Sequence, residues 1–279
     1  RVASDKAEAT NLAIKAGLDC PNTVFPVLLE NLEEITSHMT YPLIIKPRKS
    51  SGSRGIKVVR TKNDLEPLYI KTHQKYPFPI IQEYIGQGDR YDVCLLFNSE
   101  NKLRASFVQK ELRHFPIHMG PSTVQESALY PELVEKSLSL MSSLDWYGIV
   151  ELEFMIDSRD GKPKFMEINP RFWNSIHMSI LAGVDFPWLL YKLAVDGDVE
   201  PVFSYETGVR CRWSLPGDIL HFLSNKRRFE MNPPFLAGKK HNIYDDIFSK
   251  QDPLPVLGFV LACIRYLFSI RMWKFMFIR

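Results

Sequence analysis

Cysteine is scarce in this 279-residue sequence, and the four that occur (Cys20, Cys94, Cys211 and Cys263) lie far apart with no C-x-x-C pair. That spacing argues against a zinc site and against a secreted disulfide framework, and it fits reduced thiols in the cytosol. The G-x-x-x-x-G-K-[ST] motif is missing, which excludes a P-loop NTPase. Repeats and low-complexity tracts are missing too. With 45% hydrophobic and 24% charged residues, the chain is not disordered, collagenous or a coiled coil. It opens on Arg1 rather than Met, with no apolar stretch behind it, so the expectation is a fragment whose true N-terminus is missing and which carries no signal peptide. The apolar run LPVLGFVLACI (254–264) has 11 residues. A spanning helix needs about 20, so no transmembrane segment is expected.

The length implies about two domains and allows a large core without a disulfide or metal staple. A net charge of +3 is too small to imply a nucleic-acid partner, but it is unevenly spread. Residues 201–279 hold 12 Lys and Arg against 6 Asp and Glu, whereas residues 1–200 hold 23 against 26. Composition also turns aromatic and proline-punctuated at about residue 201, which marks a boundary.

The spacing predicts a helix over 4–17, with Ser4 as cap and Gly17 as stop. PLIIKPR (42–48) and IKVVR (56–60) read as a hairpin around a Ser/Gly tip. A weak helix at 65–74 and strands at 79–85, 91–98 and 104–113 follow, then a helix at 131–144. GIVELEFMID (148–157) and KPKFMEIN (162–169) flank the turn SRDG as the clearest hairpin. Without regular βαβ alternation the fold class is α+β.

The last hairpin carries the most chemistry. Successive strand residues face opposite ways, so Glu151 and Glu153 share one face, as do Glu167 and Asn169. Three carboxylates brought together repel one another unless a cation neutralises them, and oxygen ligands of this kind suit Mg2+. Pro170 stops the strand, and Arg171 adds a permanent cation two residues past the amide. In the loop Lys46–Gly55, small residues let backbone N–H groups approach phosphates beside flanking cations. Lys46 follows the apolar run LII, where a lysine must reach out of the sheet or meet an anion. QEYI (82–85) ends a strand, where backbone groups can read an adenine edge. No Ser-His-Asp order or Cys-His pair is evident. His73, His114, His118 and His177 read as structural or loop residues rather than ligands.

In order, DK (5–6), IIKP with its Ser/Gly loop, QEYI and ELEF…EINPR resemble the ATP-grasp superfamily over about residues 4–200. The likeness is to its carbamoyl-phosphate-synthase-like and D-aspartate-ligase-like branches of carboxylate–amine ligases. It implies a small lid subdomain, a larger antiparallel-sheet subdomain and a mostly helical C-terminal extension. The expected domains are 1–85 (helix and lid), 86–200 (catalytic, with the Mg site) and 201–279. By the same resemblance, Lys6 and Lys46 hold ATP phosphates, and Ser50, Ser51, Gly52, Ser53 and Gly55 form the closing loop. Gln82 or Glu83 faces the adenine amino group, Tyr84 and Ile85 supply backbone contacts, and Asp89 or Asp92 takes the ribose. Glu153, Glu167 and Asn169 match the Mg2+ ligands, with Mn2+ as an alternative ion, and Arg171 matches the phosphate-binding arginine. QKELR (109–113) and MGPST (119–123) match the segment facing the transferred phosphate and acceptor, with Arg113 as the candidate. Similar proteins often carry two glycines before Pro-Ser, where this chain has Met119-Gly120.

The implied reaction is an ATP-dependent ligation of small-molecule substrates. The γ-phosphoryl group passes to a carboxylate, and an amine then displaces phosphate from the acyl phosphate. Carboxylation through carboxyphosphate, phosphorylation without ligation and a non-catalytic ATP-binding module are the alternatives. The expected location is cytoplasmic. In the tail, Phe259, Tyr266, Ile270, Trp273 and Phe277 fall on one helical stripe, with Arg265, Arg271, Lys274 and Arg279 off it. Such a helix either docks on the body of the protein or contacts a membrane surface peripherally. Nothing in the sequence sets an oligomeric state.

Overall fold

The structure, a computed structural model, describes residues 2–29, 31–86, 88–117, 120–237, 242–249 and 252–270. Helix α1 (Lys6–Lys15) begins one residue later than its sequence signature. Asp5, not Ser4, is the cap, because its carboxylate accepts from the Ala7 and Glu8 amides, while Val2–Ser4 form a 3-10 turn. The following connection contains a two-residue strand, β1 (Thr23–Val24), before α2 (Leu32–Ile35). Strands β2 (Leu43–Lys46) and β3 (Lys57–Val59) form the expected hairpin. Helix α3 (Lys62–Lys75) is longer than its periodicity shows, because Thr61 donates through N and Oγ1 to Asp64 and fixes its first turn. Strand β4 (Ile80–Glu83) follows, then β5 (Arg90–Phe97) and β6 (Leu103–His114).

The MGPST segment enters β7 (Ser122–Ala128), a strand without a strong alternation signal, and Met119 lies outside the described residues. Helix α4 (Pro131–Met141) precedes the hairpin β8 (Gly148–Ile156) and β9 (Pro163–Asn169). Two further helices, α5 (Ile176–Leu181) and α6 (Phe186–Asp196), come next; α6 is capped by Asp185 and stopped by Gly197 at φ +85°. The C-terminal segment contributes β10 (Arg210–Arg212), α7 (Ile219–Ser224), β11 (Ile243–Asp245) and α8 (Leu254–Leu267). Its regular structure is mostly helical, with two short strands added.

The chain forms two compact units, each discontinuous in sequence. The first comprises residues 1–90, 132–145 and 150–171, and the second 91–131, 146–149 and 172–279. In the first, a sheet ordered β1-β4-β2-β3 packs Leu43, Ile45, Val59 and Ile81 against Leu65 and Tyr69 of α3. In the second, strands run β11-β10-β7-β6-β5, with Phe107, Trp173, Met178, Phe186 and Val209 in the core. Strands β10 and β11 are parallel, whereas β10–β7 and β6–β7 are antiparallel.

Among the described residues no helix is long and apolar enough to cross a membrane. None of the described side chains of α8 is buried. Phe259 is half-buried and Tyr266 and Ile270 are exposed, while Trp273 and Phe277 lie outside the described residues. The stripe that α8 leaves exposed is instead Leu254, Leu257, Leu261 and Ile264, at alternating steps of three and four.

Candidate active site

Within the first unit, the β8–β9 hairpin sets the site. Its register pairs Glu153 with Glu167 and Glu151 with Asn169. Strict alternation would put Phe165 on the face of Glu167. A β-bulge resets it: Met166 is the extra residue, so Phe165 pairs with Phe154 and their rings meet edge-on with centroids 6.0 Å apart. The acids are thereby kept opposed while the phenylalanines enter the core. Asn169 Nδ2 donates to Glu153 Oε1 at 2.6 Å and to the buried Glu151 Oε2 at 3.0 Å. Arg171 Nη2 donates to Asn169 Oδ1 at 3.2 Å.

Helix α1 and strand β2 bring the lysines. Lys6 Nζ lies 2.6 Å from Glu167 Oε2 and donates to the Ser50 carbonyl at 2.8 Å, tying the helix start to the Ser/Gly loop. Arg48, at the base of that loop, donates to both carboxylate oxygens of Asp5, and its carbonyl accepts from the Lys6 amide. Burial pushes the Asp5 carboxyl up, but Arg48 and the helix amides prevail and hold it below the usual carboxylate range. Lys46 is buried, and its Nζ donates to Gln82 Oε1 at 2.6 Å. Burial brings this ammonium down to about 8, against the pull of Glu167 and Glu153 and with the push of Lys6.

The loop itself is built for close backbone approach. Gly52, Ser53 and Gly55 all have positive φ, between +59° and +78°. Arg54 folds back onto it, donating to the Ser51 carbonyl and Oγ.

The QEYI residues are differently engaged. Gln82 is buried, accepting from Lys46 and donating to Thr23 Oγ1 at 2.8 Å. The Glu83 carboxylate accepts from the Asn22 amide at 2.8 Å and lies 3.1 Å from Arg159 Nη2. The Tyr84 amide donates to the Pro42 carbonyl, and Ile85 is buried. Beyond them, a Cβ on Gly88 would come within 1.8 Å of the Ile156 carbonyl, so only glycine permits this approach. The same approach lets the Asp89 carbonyl accept from the Ile156 amide at 2.8 Å, and leaves residue 89 exposed.

Two expected site residues belong to the second unit. Asp92 is buried and accepts from Gln109 Nε2 at 2.8 Å, while Gln109 also bonds Ser175. Arg113 is buried, donating through Nη1 to the Pro233 carbonyl at 3.0 Å. Its Nε stands 3.1 Å from Asp218 Oδ1, too poorly aligned for a hydrogen bond. Burial moves the Arg113 guanidinium down and the Asp218 carboxyl up, each against the attraction of the other. Arg113 Nη2 has no hydrogen-bond partner among the described residues.

A divalent ion fits the hairpin face by its donor set. Glu153 and Glu167 are like charges directly opposed across two strands, Lys6 offsets one of them, and the donors are hard oxygens without thiol or imidazole. Turning the Asn169 amide over exchanges its oxygen and nitrogen and adds a third oxygen to the set.

Sequence reasoning missed three contacts here. They are the Glu151–Asn169 bond, the Lys6–Glu167 pair and the Asp5–Arg48 clamp. The first was open to inspection, since Glu151 shares Glu153's parity. The other two join residues remote in sequence, and no local signal marks them.

The sequence model of the ATP-grasp domain matches residues 3–175, and the chain belongs to the ATP-grasp family. It is 25% identical over 185 residues to the mitochondrial pyruvate carboxylase of Mus musculus, covering 61% of this chain and 15% of that protein. Among solved structures it is similar to a biotin carboxylase–βγ-ATP complex from Campylobacter jejuni, with a TM-score of 0.66 and 19% identity. That match covers 75% of this chain and 50% of the other. It is also similar to the biotin carboxylase domain of Hydrogenobacter thermophilus 2-oxoglutarate carboxylase, solved with MgADP, ADP and bicarbonate. There the TM-score is 0.65 and the identity 17%, over 75% of this chain and 49% of that one. At these identities the structural likeness speaks for the fold, which is ATP-grasp.

Proposed function

We propose that the chain carries the nucleotide site of an ATP- and Mg2+-dependent ligase that activates a carboxylate as an acyl phosphate and joins it to an amine. The observation that carries the reading is the opposed Glu153–Glu167 pair, with Lys6 on one carboxylate and Lys46 in the field of both. Phosphoryl transfer depends on positioning and charge neutralisation rather than on a protein nucleophile, and this cluster supplies both. Glu153, Glu167 and Asn169 would hold the ion, which supplies neutralisation of the phosphate oxygens. Lys6, Lys46 and Arg171 would hold the phosphates, and Ser50 to Gly55 would close over them and exclude water. Asp89, exposed, is the better placed of the two aspartates for a ribose, since Asp92 is buried. Gln82 orients Lys46, and Glu83 holds the Asn22 backbone at the strand end where Tyr84 and Ile85 would meet the base. Arg113, with its unpartnered Nη2, is the candidate for the acceptor carboxylate.

Carboxylation through carboxyphosphate is the second reading, favoured by the likeness to biotin carboxylases. Hydroxylamine added with ATP and a panel of amino acids, sugar acids and bicarbonate separates the outcomes. A stable hydroxamate from an organic acid supports ligation. Bicarbonate-dependent ADP release with no hydroxamate from an organic acid supports carboxylation instead, and phosphorylation of a hydroxyl compound with no hydroxamate contradicts both.

We assign the chain to the cytoplasm, in keeping with its four free cysteines. Peripheral membrane contact through α8 is the reading of the tail. Its support is the exposed Leu254–Ile264 stripe, together with four cations and no acid over residues 256–279. Flotation with anionic vesicles is expected to carry the protein upward at low salt and release it at high salt. Protein left at the bottom of the gradient under both conditions excludes the contact.

A further inference from the structure

Outside the nucleotide site, the second unit brings together three side chains of metal-ligating type. Cys211 sits in the middle of β10, Asp246 directly follows β11, and His177 lies in the first turn of α5. Their ligand atoms all fall within 4.8 Å of one another, the one such group among the described residues. Cys211 Sγ is 3.5 Å from Asp246 Oδ1, and His177 Nδ1 is 3.8 Å from the same oxygen. Tetrahedral zinc, with bonds near 2.0–2.3 Å, places its ligand atoms roughly 3.5 Å apart. The pleat and the parallel register bring Cys211 and Asp246 together across 35 residues, which is why no C-x-x-C spacing announces the group in the sequence.

We propose that Cys211, Asp246 and His177 form a zinc site of the three-ligand type, with water in the fourth position. The charge balance favours it. Among the described residues no lysine or arginine pairs with Asp246, whose side-chain partners there are Cys211 and His177. A dication bound to one thiolate, one carboxylate and one neutral imidazole leaves no net charge on the cluster. As zinc binds, the thiol proton leaves to solvent and the sulfur–zinc bond replaces the sulfur–hydrogen bond. The thiolate selects zinc over Mg2+ and Ca2+, which take oxygen ligands. His177 is the most exposed of the three and marks the side from which water and metal enter. A bound ion would clamp both strands of the C-terminal segment to α5.

The test uses the full chain, stripped of metal and held in excess Mg2+ so that oxygen sites are filled. Zinc is expected to bind at one equivalent, and Co2+ in its place to give a thiolate charge-transfer band. Cys211→Ser is expected to abolish the band. His177→Asn, a milder change at a half-exposed position, is expected to weaken zinc by about 100-fold or more, since even supporting residues around a metal are worth 10–100-fold. Glu167→Gln is expected to leave both readouts unchanged. No saturable binding in Mg2+, equal affinity in wild type and His177→Asn, or loss of binding in Glu167→Gln would each overturn the assignment.

Discussion

Glu167→Gln is expected to remove Mg2+-dependent ATP turnover while leaving the fold intact. The substitution keeps the side chain's shape and deletes one of two opposed carboxylates, so the oxygen set loses the charge that holds a divalent ion. It also takes from Lys6 the carboxylate held 2.6 Å from its ammonium, leaving that ammonium with the Ser50 carbonyl. Deleting one preorganised electrostatic group from an active site costs about 10²–10³ in rate, and in the proposed site the ion would depend on that group as well. ADP release at saturating Mg2+ measures the effect. Wild-type turnover in Glu167→Gln would remove Glu167 from the metal set. Far-ultraviolet circular dichroism and the unfolding midpoint of the variant show that the fold survives.

Lys46 predicts a second large effect, in pH. Its ammonium is brought from 10.5 to about 8 by burial. Phosphates favour the charged form, so in the free protein the binding-competent lysine is lost as pH rises through 8. Nucleotide affinity is then expected to fall by about tenfold per pH unit above 8, with a proton taken up on binding. Stability moves the opposite way. A depressed folded-state value means that the folded chain bears the cost of a buried charge at low pH, and that this cost disappears as pH rises from about 8 towards 10.5. Stability attributable to this group therefore rises across that window, on the order of 3 kcal/mol in full. Lys46→Met is expected to lose both the affinity and the rise. Titration calorimetry in buffers of different ionisation enthalpy reads the proton uptake. A flat affinity between pH 7 and 9.5 would contradict it.

Much of the site was legible because local rules govern it. Strand alternation and a four-residue turn were enough to place Glu151, Glu153, Glu167 and Asn169 on one hairpin. Alternation fails at Met166, where a bulge adds a residue that no composition rule announces. The partners of Gln82 were hidden for another reason. A strand-end amide reads equally well as a base contact or as a brace for Lys46, and only the sheet order β4-β2 decides which side chains adjoin. Strand β10, three residues long, was invisible because it is stabilised by its neighbours β7 and β11 rather than by its own sequence. Helices α5 and α6 lay in a stretch dominated by EINPR, whose chemical signal outweighed the periodic one that follows it. Ser4 and Asp5 are both good caps, and the Asp5–Arg48 ion pair, remote in sequence, decides between them.

Calorimetric titration of the metal-free chain with ATP, with and without Mg2+, tests the account most directly. The predicted result is saturable binding that needs Mg2+ in wild type and is lost in both Glu167→Gln and Lys46→Met. Binding that is indifferent to Mg2+, or that persists unchanged in both variants, would contradict a nucleotide site built on the β8–β9 hairpin.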